Sequence, residues 1–287
     1  MANKINRPAL IGGSVTTFGV MEPRVDRFPM DPSSAPIRWF DPVKQISGGT
    51  IVRCTPADTA LLGLAATGAN DVLPTSIAHM PLLTDAAGRV LIAVYLADAL
   101  NIFTGETVVA PTQSNVMQAH DFQYAIPDAN APVSVVTNVG TAGSTTYSYT
   151  IGALNGLGET LPGAAGTTAT GNAVLSATNY NLLTIPVVGR TASFNIYRGG
   201  ALIGTVAANS TAPTTFKDVG QPASAGVPAT INMTGWLVNN VAQATNVLEV
   251  RAIDTKPIQP FINTFTVGAV LFAITAAKSQ VQNITGV

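Results

Sequence analysis

The sequence predicts a mainly β protein: a β-rich flanking domain with short helices, an inserted β-sandwich and an extended N-terminal arm. Three observations predict it. Thr occurs 35 times in 287 residues, and Gly and Pro together number 45. That composition favours short strands joined by tight turns over long helices. Alternating apolar runs recur between Gly- and Asn-rich clusters. Charged residues make up only 10% of the chain, against roughly 25% in an average soluble domain, and the formal net charge is −1. So neutral a surface suits either burial by other subunits or a coat of Thr, Asn, Ser and Gln.

Residues 1–42 read as the arm. Ten charges lie in residues 1–50, together with Pro8, Pro23, Pro29, Pro32, Pro36 and Pro42. Proline removes amide donors and disfavours helix in the preceding residue, so neither a regular helix nor a central strand is expected here. Ile11, Val15, Phe18, Val20, Phe28, Trp39 and Phe40 recur along it, which favours docking on a surface over a loose tail.

Residues 43–131 read as the first half of the flanking domain. GGTIVRCTP and GRVLIAVYLAD have strand character. Thr55-Pro56-Ala57-Asp58 has the cap, first-turn proline and acidic residue of a helix start, with ALLGLAATGA continuing to about Gly68. Ser114–Ile126, SNVMQAHDFQYAI, is a second helix candidate capped by Ser114.

Residues 132–228 change texture. Only Glu159, Arg190, Arg198, Lys217 and Asp218 are charged between 141 and 230. VSVVTN, TTYSYTIGA, YNLLTIPVV, ASFNIYRG, ALIGTVA and TTFKDVG are strand-like runs at the spacing of a β-sandwich of about 100 residues. Tyr147, Tyr149 and Ile151 share one face, and Asn155-Gly156-Leu157-Gly158 turns the chain. Gly199-Gly200 in RGGALIG predicts a tight hairpin.

Residues 229–287 resume the earlier character and are expected to complete the flanking domain, the alternative being three domains in series. The most apolar run, Phe261–Ala277, is short for a membrane span of about 20 residues. Asn263, Thr264, Thr266 and Gly268 interrupt it, so one or two buried strands are expected and no membrane partner.

TTYSYTIGALNGLGETLP, NLLTIPVVGRTASFNIYRGGALIGTV and TTFKDVG also carry a family resemblance. Together they resemble the fibronectin type III or immunoglobulin-like modules inserted in tailed-phage virion proteins. The resemblance covers about a third of the chain. It departs at Tyr180–Val188, which has no Trp where such modules often bury one, so Leu182, Leu183 and Ile185 are expected to fill that core. The resemblance implies an Ig/fibronectin-III-like fold for 132–228 and a virion setting.

Chemistry-bearing residues are sparse. Cys54 with His120 and Asp121 is the one constellation of the types a nucleophilic triad needs, and nothing in the spacing brings them together. His79 is the other histidine. No CxxC, HExxH, EF-hand or phosphate-cradle motif occurs, so no catalytic, metal or cofactor residue is expected. Fourteen basic against fifteen acidic residues argue against a nucleic-acid partner. The Asn-x-Thr triplets at Asn209, Asn232 and Asn283 are expected by chance in so Thr-rich a chain. The N-terminus has no secretory pattern, which predicts synthesis in the host cytoplasm.

The expectation is therefore a binding protein and not an enzyme: a tailed-phage head decoration or cement protein in the virion. Its expected partners are the major capsid protein or other virion subunits and further copies of itself, as a trimer. The alternatives are a tail, baseplate or fibre subunit, and a surface adhesin for host polysaccharide.

Overall fold

The computed structural model describes residues 25–38, 40–66, 83–97, 102–254, 269–275 and 280. The arm before Val25, Trp39, residues 67–69 of ALLGLAATGA, His79, and residues 255–268, 276–279 and 281–287 of the C-terminal segment, Asn283 among them, lie outside them. The protein is mainly β. The strands in chain order are β1 (Val25–Pro29), β2 (Pro42–Gln45), β3 (Ile51–Arg53), β4 (Gly63–Ala65), β5 (Leu83–Thr84) and β6 (Val90–Leu96). They continue with β7 (Phe103–Glu106), β8 (Ala119–Tyr124), β9 (Val135–Val139), β10 (Thr145–Leu154), β11 (Gly166–Gly171) and β12 (Tyr180–Ile185). The last six are β13 (Ser193–Arg198), β14 (Ala201–Ala207), β15 (Thr214–Asp218), β16 (Trp236–Asn239), β17 (Leu248–Asp254) and β18 (Ala269–Ile274). The chain divides into two compact units, with Tyr124–Gly235 as one and the flanking segments on both sides as the other.

The flanking unit holds two small sheets, each closed on itself. In the first the order is β1-β6-β4-β2-β3, with β5 paired to β6. A parallel bridge between Met30 and Ile51 returns β3 to β1, and the Asp31 N–H donates to the Ile51 carbonyl at 2.9 Å. Closure removes the open edges a five-stranded sheet would otherwise present. Val43, Ile51, Leu62, Ala65, Ile92, Val94 and Leu96 fill the interior, with Ile37 packed among them.

The second sheet has the order β7-β18-β17-β8-β16. A parallel bridge between Thr107 and Val238 closes it, and the Val108 N–H donates to the Val238 carbonyl at 3.1 Å. Numbered within each barrel, both orders are first-fifth-fourth-second-third, with the third strand returning in parallel to the first. The registers coincide as well. Val43 pairs Gly63, which pairs Leu96; His120 pairs Leu248, which pairs Ile274. Asp26 pairs Val94 as Phe103 pairs Phe272.

Matching positions extend into the irregular backbone. Phe40 and Met117 both take positive φ, 63° and 61°. Their N–H groups donate, each at 2.7 Å, to the carbonyls of the matching residues Ala65 and Val250. Met30 and Thr107, Phe40 and Met117, and Val43 and His120 are all 77 residues apart. The unit is thus an internal duplication of one five-stranded barrel. The interior repeats too: Ile51, Leu62, Ala65, Ile92, Val94 and Leu96 correspond to Val238, Val247, Val250, Val270, Phe272 and Ile274, all buried.

The second unit interrupts the second barrel between its second and third strands. In the first barrel the same place is the turn Ile46–Thr50, where the Ile46 N–H donates to the Thr50 carbonyl at 2.9 Å. By register Gln123 matches Ile46 and Trp236 matches Gly49. Tyr124–Gly235 therefore stands where the first barrel has only Ser47 and Gly48.

Tyr124–Gly235 is a two-sheet sandwich, β11-β10-β13-β14 over β15-β12-β9. Tyr149, Ile151 and Ala153 of β10, Phe194 and Ile196 of β13 and Ile203 of β14 meet Leu183 and Ile185 of β12 in one core. Leu183 and Ile185 fill the place considered for a Trp, whereas Leu182 is half-buried on the other face of β12. Gly199 and Gly200, at φ 58° and 84°, make the β13–β14 hairpin. Asn155 holds its turn by accepting at Oδ1 from the Leu157 and Gly158 N–H groups at 2.9 and 3.2 Å.

Several expectations are corrected. Thr55–Asp58 is one turn with no helix in the described residues 59–66 after it, because 63–65 is the strand β4 wedged between β2 and β6. Ser114–Ile126 is not a helix either: a three-residue 3-10 turn, Gln113–Asn115, gives way at Met117 to β8. Residues 25–42 are not arm, since β1 pairs with β6 along its length and Ile37 and Phe40 are buried. The sandwich unit is wider than 132–228. Thr234 Oγ1 accepts from the Ile126 N–H at 3.1 Å, and Asn232 Nδ2 donates to the Ile126 carbonyl at 2.8 Å, tying 126 and 232–234 into it.

Candidate functional site

The three residues weighed for catalysis do other work. Cys54 comes directly after β3 in the first barrel and is buried, and its N–H donates to the Pro42 carbonyl at 2.9 Å. Burial pushes its thiol well above the usual value, with Asp58 and Asp41 adding to the rise, so it is a poor thiolate source. His120 lies on β8 in the second barrel, also buried, and neither ring nitrogen finds a partner among the described residues. Asp121 is a loop anchor. Its Oδ1 accepts from Thr245 N–H, Thr245 Oγ1 and Asn246 N–H at 2.7, 2.9 and 2.8 Å, and Oδ2 accepts from Ala244 N–H at 2.8 Å. Burial alone would raise its pKa, but these hydrogen bonds outweigh it and hold the carboxyl below the usual range.

The remaining clusters of polar side chains are internal braces. In the sandwich, Arg198 Nη1 donates to both oxygens of buried Asp218 at 2.7 and 2.8 Å. Tyr149 OH donates to Asp218 Oδ2 at 2.7 Å and accepts from Asn181 Nδ2 at 2.7 Å. Burial first, and the hydrogen bond to Asp218 second, drive the Tyr149 phenol far up, so it stays a donor. On the outer face of the same sheet Tyr197 OH donates to Glu159 Oε1 at 2.8 Å. Asn232, one of the three Asn-x-Thr positions, is buried and hydrogen-bonded in the base of the sandwich. Among the described residues no three His, Cys, Asp or Glu side chains gather closely enough to hold a metal ion, and no helix is long and apolar enough to cross a membrane.

Surface character is more informative. The loops beside β7, β8 and β16 in the second barrel, residues 107–118 and 238–248, carry no charged residue. Val109, Met117 and Val241 are exposed there, at 42, 63 and 65%. Asn240 clasps the loops together, accepting at Oδ1 from the Val109 N–H at 3.2 Å and donating from Nδ2 to the Val109 carbonyl at 3.1 Å. Asn115 Nδ2 adds a bond to the Asn240 carbonyl at 3.1 Å. The result is a firm, uncharged, partly apolar platform, the composition of a contact surface.

In the first barrel the matching face is covered. Phe40, the twin of Met117, is 2% exposed and stacks on Tyr95 at 5.7 Å; Cys54, the twin of Val241, is 1% exposed. Beside them Asp41 and Arg53 form a buried ion pair at 2.9 Å. Trp236 of the second barrel closes over both, donating from Nε1 to Asp41 Oδ1 at 2.9 Å with the Arg53 guanidinium 5.0 Å from its ring. In the sequence Trp236 reads as a buried aromatic in preference to a ring stacked on sugar; its role as a clamp between barrels depends on the duplication.

Set against family models, curated proteins and solved structures, the chain matches none.

Proposed function

We propose that this chain is a structural subunit of a tailed-phage particle, a head decoration or cement protein whose twin-barrel body binds the shell and whose sandwich is an appended, immunoglobulin-like module. The observation that carries the reading is the manner of insertion. The sandwich begins and ends side by side, with the Ala125 N–H donating to the Gly235 carbonyl at 2.9 Å, and it takes the place of a single turn. A body that keeps its own closed ladders while carrying a whole module at one turn suits a protein that grips one surface and offers another. The low charge, 10% of residues, supports a life spent largely against neighbours. Binding would stabilise the shell by mass action, because the protein engages only the assembled form.

The test is co-sedimentation with purified empty shells, read with the melting temperature of the shell. The expected result is a saturable bound fraction and a raised shell melting temperature. A protein that leaves shells untouched and pellets instead with isolated tails, or binds host polysaccharide, overturns the decoration reading.

A further inference from the structure

We propose that the uncharged platform of the second barrel, centred on Met117 and Val241, docks a second copy of this chain. The duplication supplies the comparison. On the first barrel the same face is buried at Phe40 and Cys54, and beside them Trp236, from a barrel of this very fold, lies on Asp41 and Arg53. The position matching Trp236 in the first barrel is Gly49, which has no side chain to offer. A Cβ built there meets only the Gln45 amide, at 3.9 Å. Among the described residues the chain thus has one clamp for two equivalent faces, and Met117 and Val241 stay exposed where Phe40 and Cys54 are covered.

The chemistry of the platform selects its occupant. Residues 107–118 and 238–248 contain no Asp, Glu, Lys or Arg, so nothing there asks for a charged partner. With a net charge of −1, two copies approach with almost no mutual repulsion. Exposed valine and methionine side chains bring apolar area, and the amide and hydroxyl groups around them pair with their own kind. Met117 is also pre-set: its φ of 61° is pinned by the hydrogen bond from its N–H to the Val250 carbonyl, so little ordering remains to be done on docking. This docking concerns copies of the chain in solution and does not depend on the particle reading.

The experiment is the mass of the full chain by light scattering and sedimentation across a concentration series, for the native protein, Met117→Asp, Val241→Asp and Val174→Asp. Asp accepts positive φ more readily than Met, so Met117→Asp keeps the backbone. Val174 is exposed on the sandwich and serves as the control. The expected result is a native multimer, with association weakened at least tenfold in both platform variants, an unchanged control and unchanged circular dichroism in all. A native chain that stays monomeric overturns the proposal, as does a multimer indifferent to both platform substitutions. A monomer whose shell binding is lost in Met117→Asp also overturns it, and assigns the platform to the shell.

Discussion

At the scale of single residues, Asp121 and His120 are neighbours with opposite energetics. Asp121 receives four hydrogen bonds that hold residues 244–246 against β8. Its folded pKa is lowered, so its stabilisation is present above the unfolded value of roughly 3.9 and is lost as pH falls through the folded value. Asp121→Ala is expected to cost about 2–3 kcal/mol at pH 7. The gap to the native protein should narrow steadily below about pH 4, read from urea midpoints at several pH values. His120 brings two buried nitrogens without partners among the described residues to a site where the twin barrel has Val43. A buried polar group left unsatisfied costs about 1–3 kcal/mol. His120→Val should therefore leave the thermal midpoint unchanged or raise it; a drop of several degrees would mean that the imidazole is held by something outside the described residues.

At the scale of elements, the features legible in the sequence were local ones. The β13–β14 hairpin could be read from Arg198-Gly199-Gly200-Ala201 because positive φ at both glycines is a property of the turn itself. Gly199→Ala with Gly200→Ala should cost about 1–2 kcal/mol in the denaturation midpoint while leaving strand content intact. The helix starts failed for a related reason. Asp58 Oδ2 does accept from the Thr55 N–H at 2.7 Å, so the first cap is real, whereas at the second the bond runs from the Thr112 N–H to Asn115 Oδ1 at 2.9 Å and Ser114 lies inside the turn instead of capping it. The backbone after each cap is set by ladder partners far away in sequence, which override local propensity. Gly105 shows the same dependence. A Cβ there would stand 2.8 Å from Phe272 and from Val238, strands that a reading of 103–106 cannot see. Gly105→Val is expected to be among the most destabilising single changes in the second barrel, about 3 kcal/mol or more by calorimetry, through overpacking.

At the scale of the whole molecule, the duplication was hidden because it lives in register and hardly at all in residue identity. Val43 matches His120, Gly63 matches Leu248, and Phe40 matches Met117; what is shared is the alternation of buried positions, with a 77-residue offset over the first two strands alone. Such alternation is common to every half-buried strand, so it cannot announce a repeat by itself. The candidate surface was hidden for the same reason, since the exposure of Met117 and Val241 becomes informative only beside the burial of Phe40 and Cys54. Once the twins are aligned, the architecture makes a strong demand. The first barrel closes with a short turn where the second carries Tyr124–Gly235, and the sandwich has its own core and its own base clasp through Ile126, Asn232 and Thr234. Replacing Tyr124–Gly235 with a short Gly-Ser turn should therefore leave the flanking unit folded, because the ladder and not the loop sets its register. Tyr124–Gly235 expressed alone should fold with a cooperative transition of its own. Calorimetry of the three proteins decides it: the two parts should each show one transition, and the full chain should show both near the same temperatures. A truncated flanking unit that loses its cooperative melt would mean that the second barrel needs the sandwich to close, and the duplication would then describe geometry without independent stability.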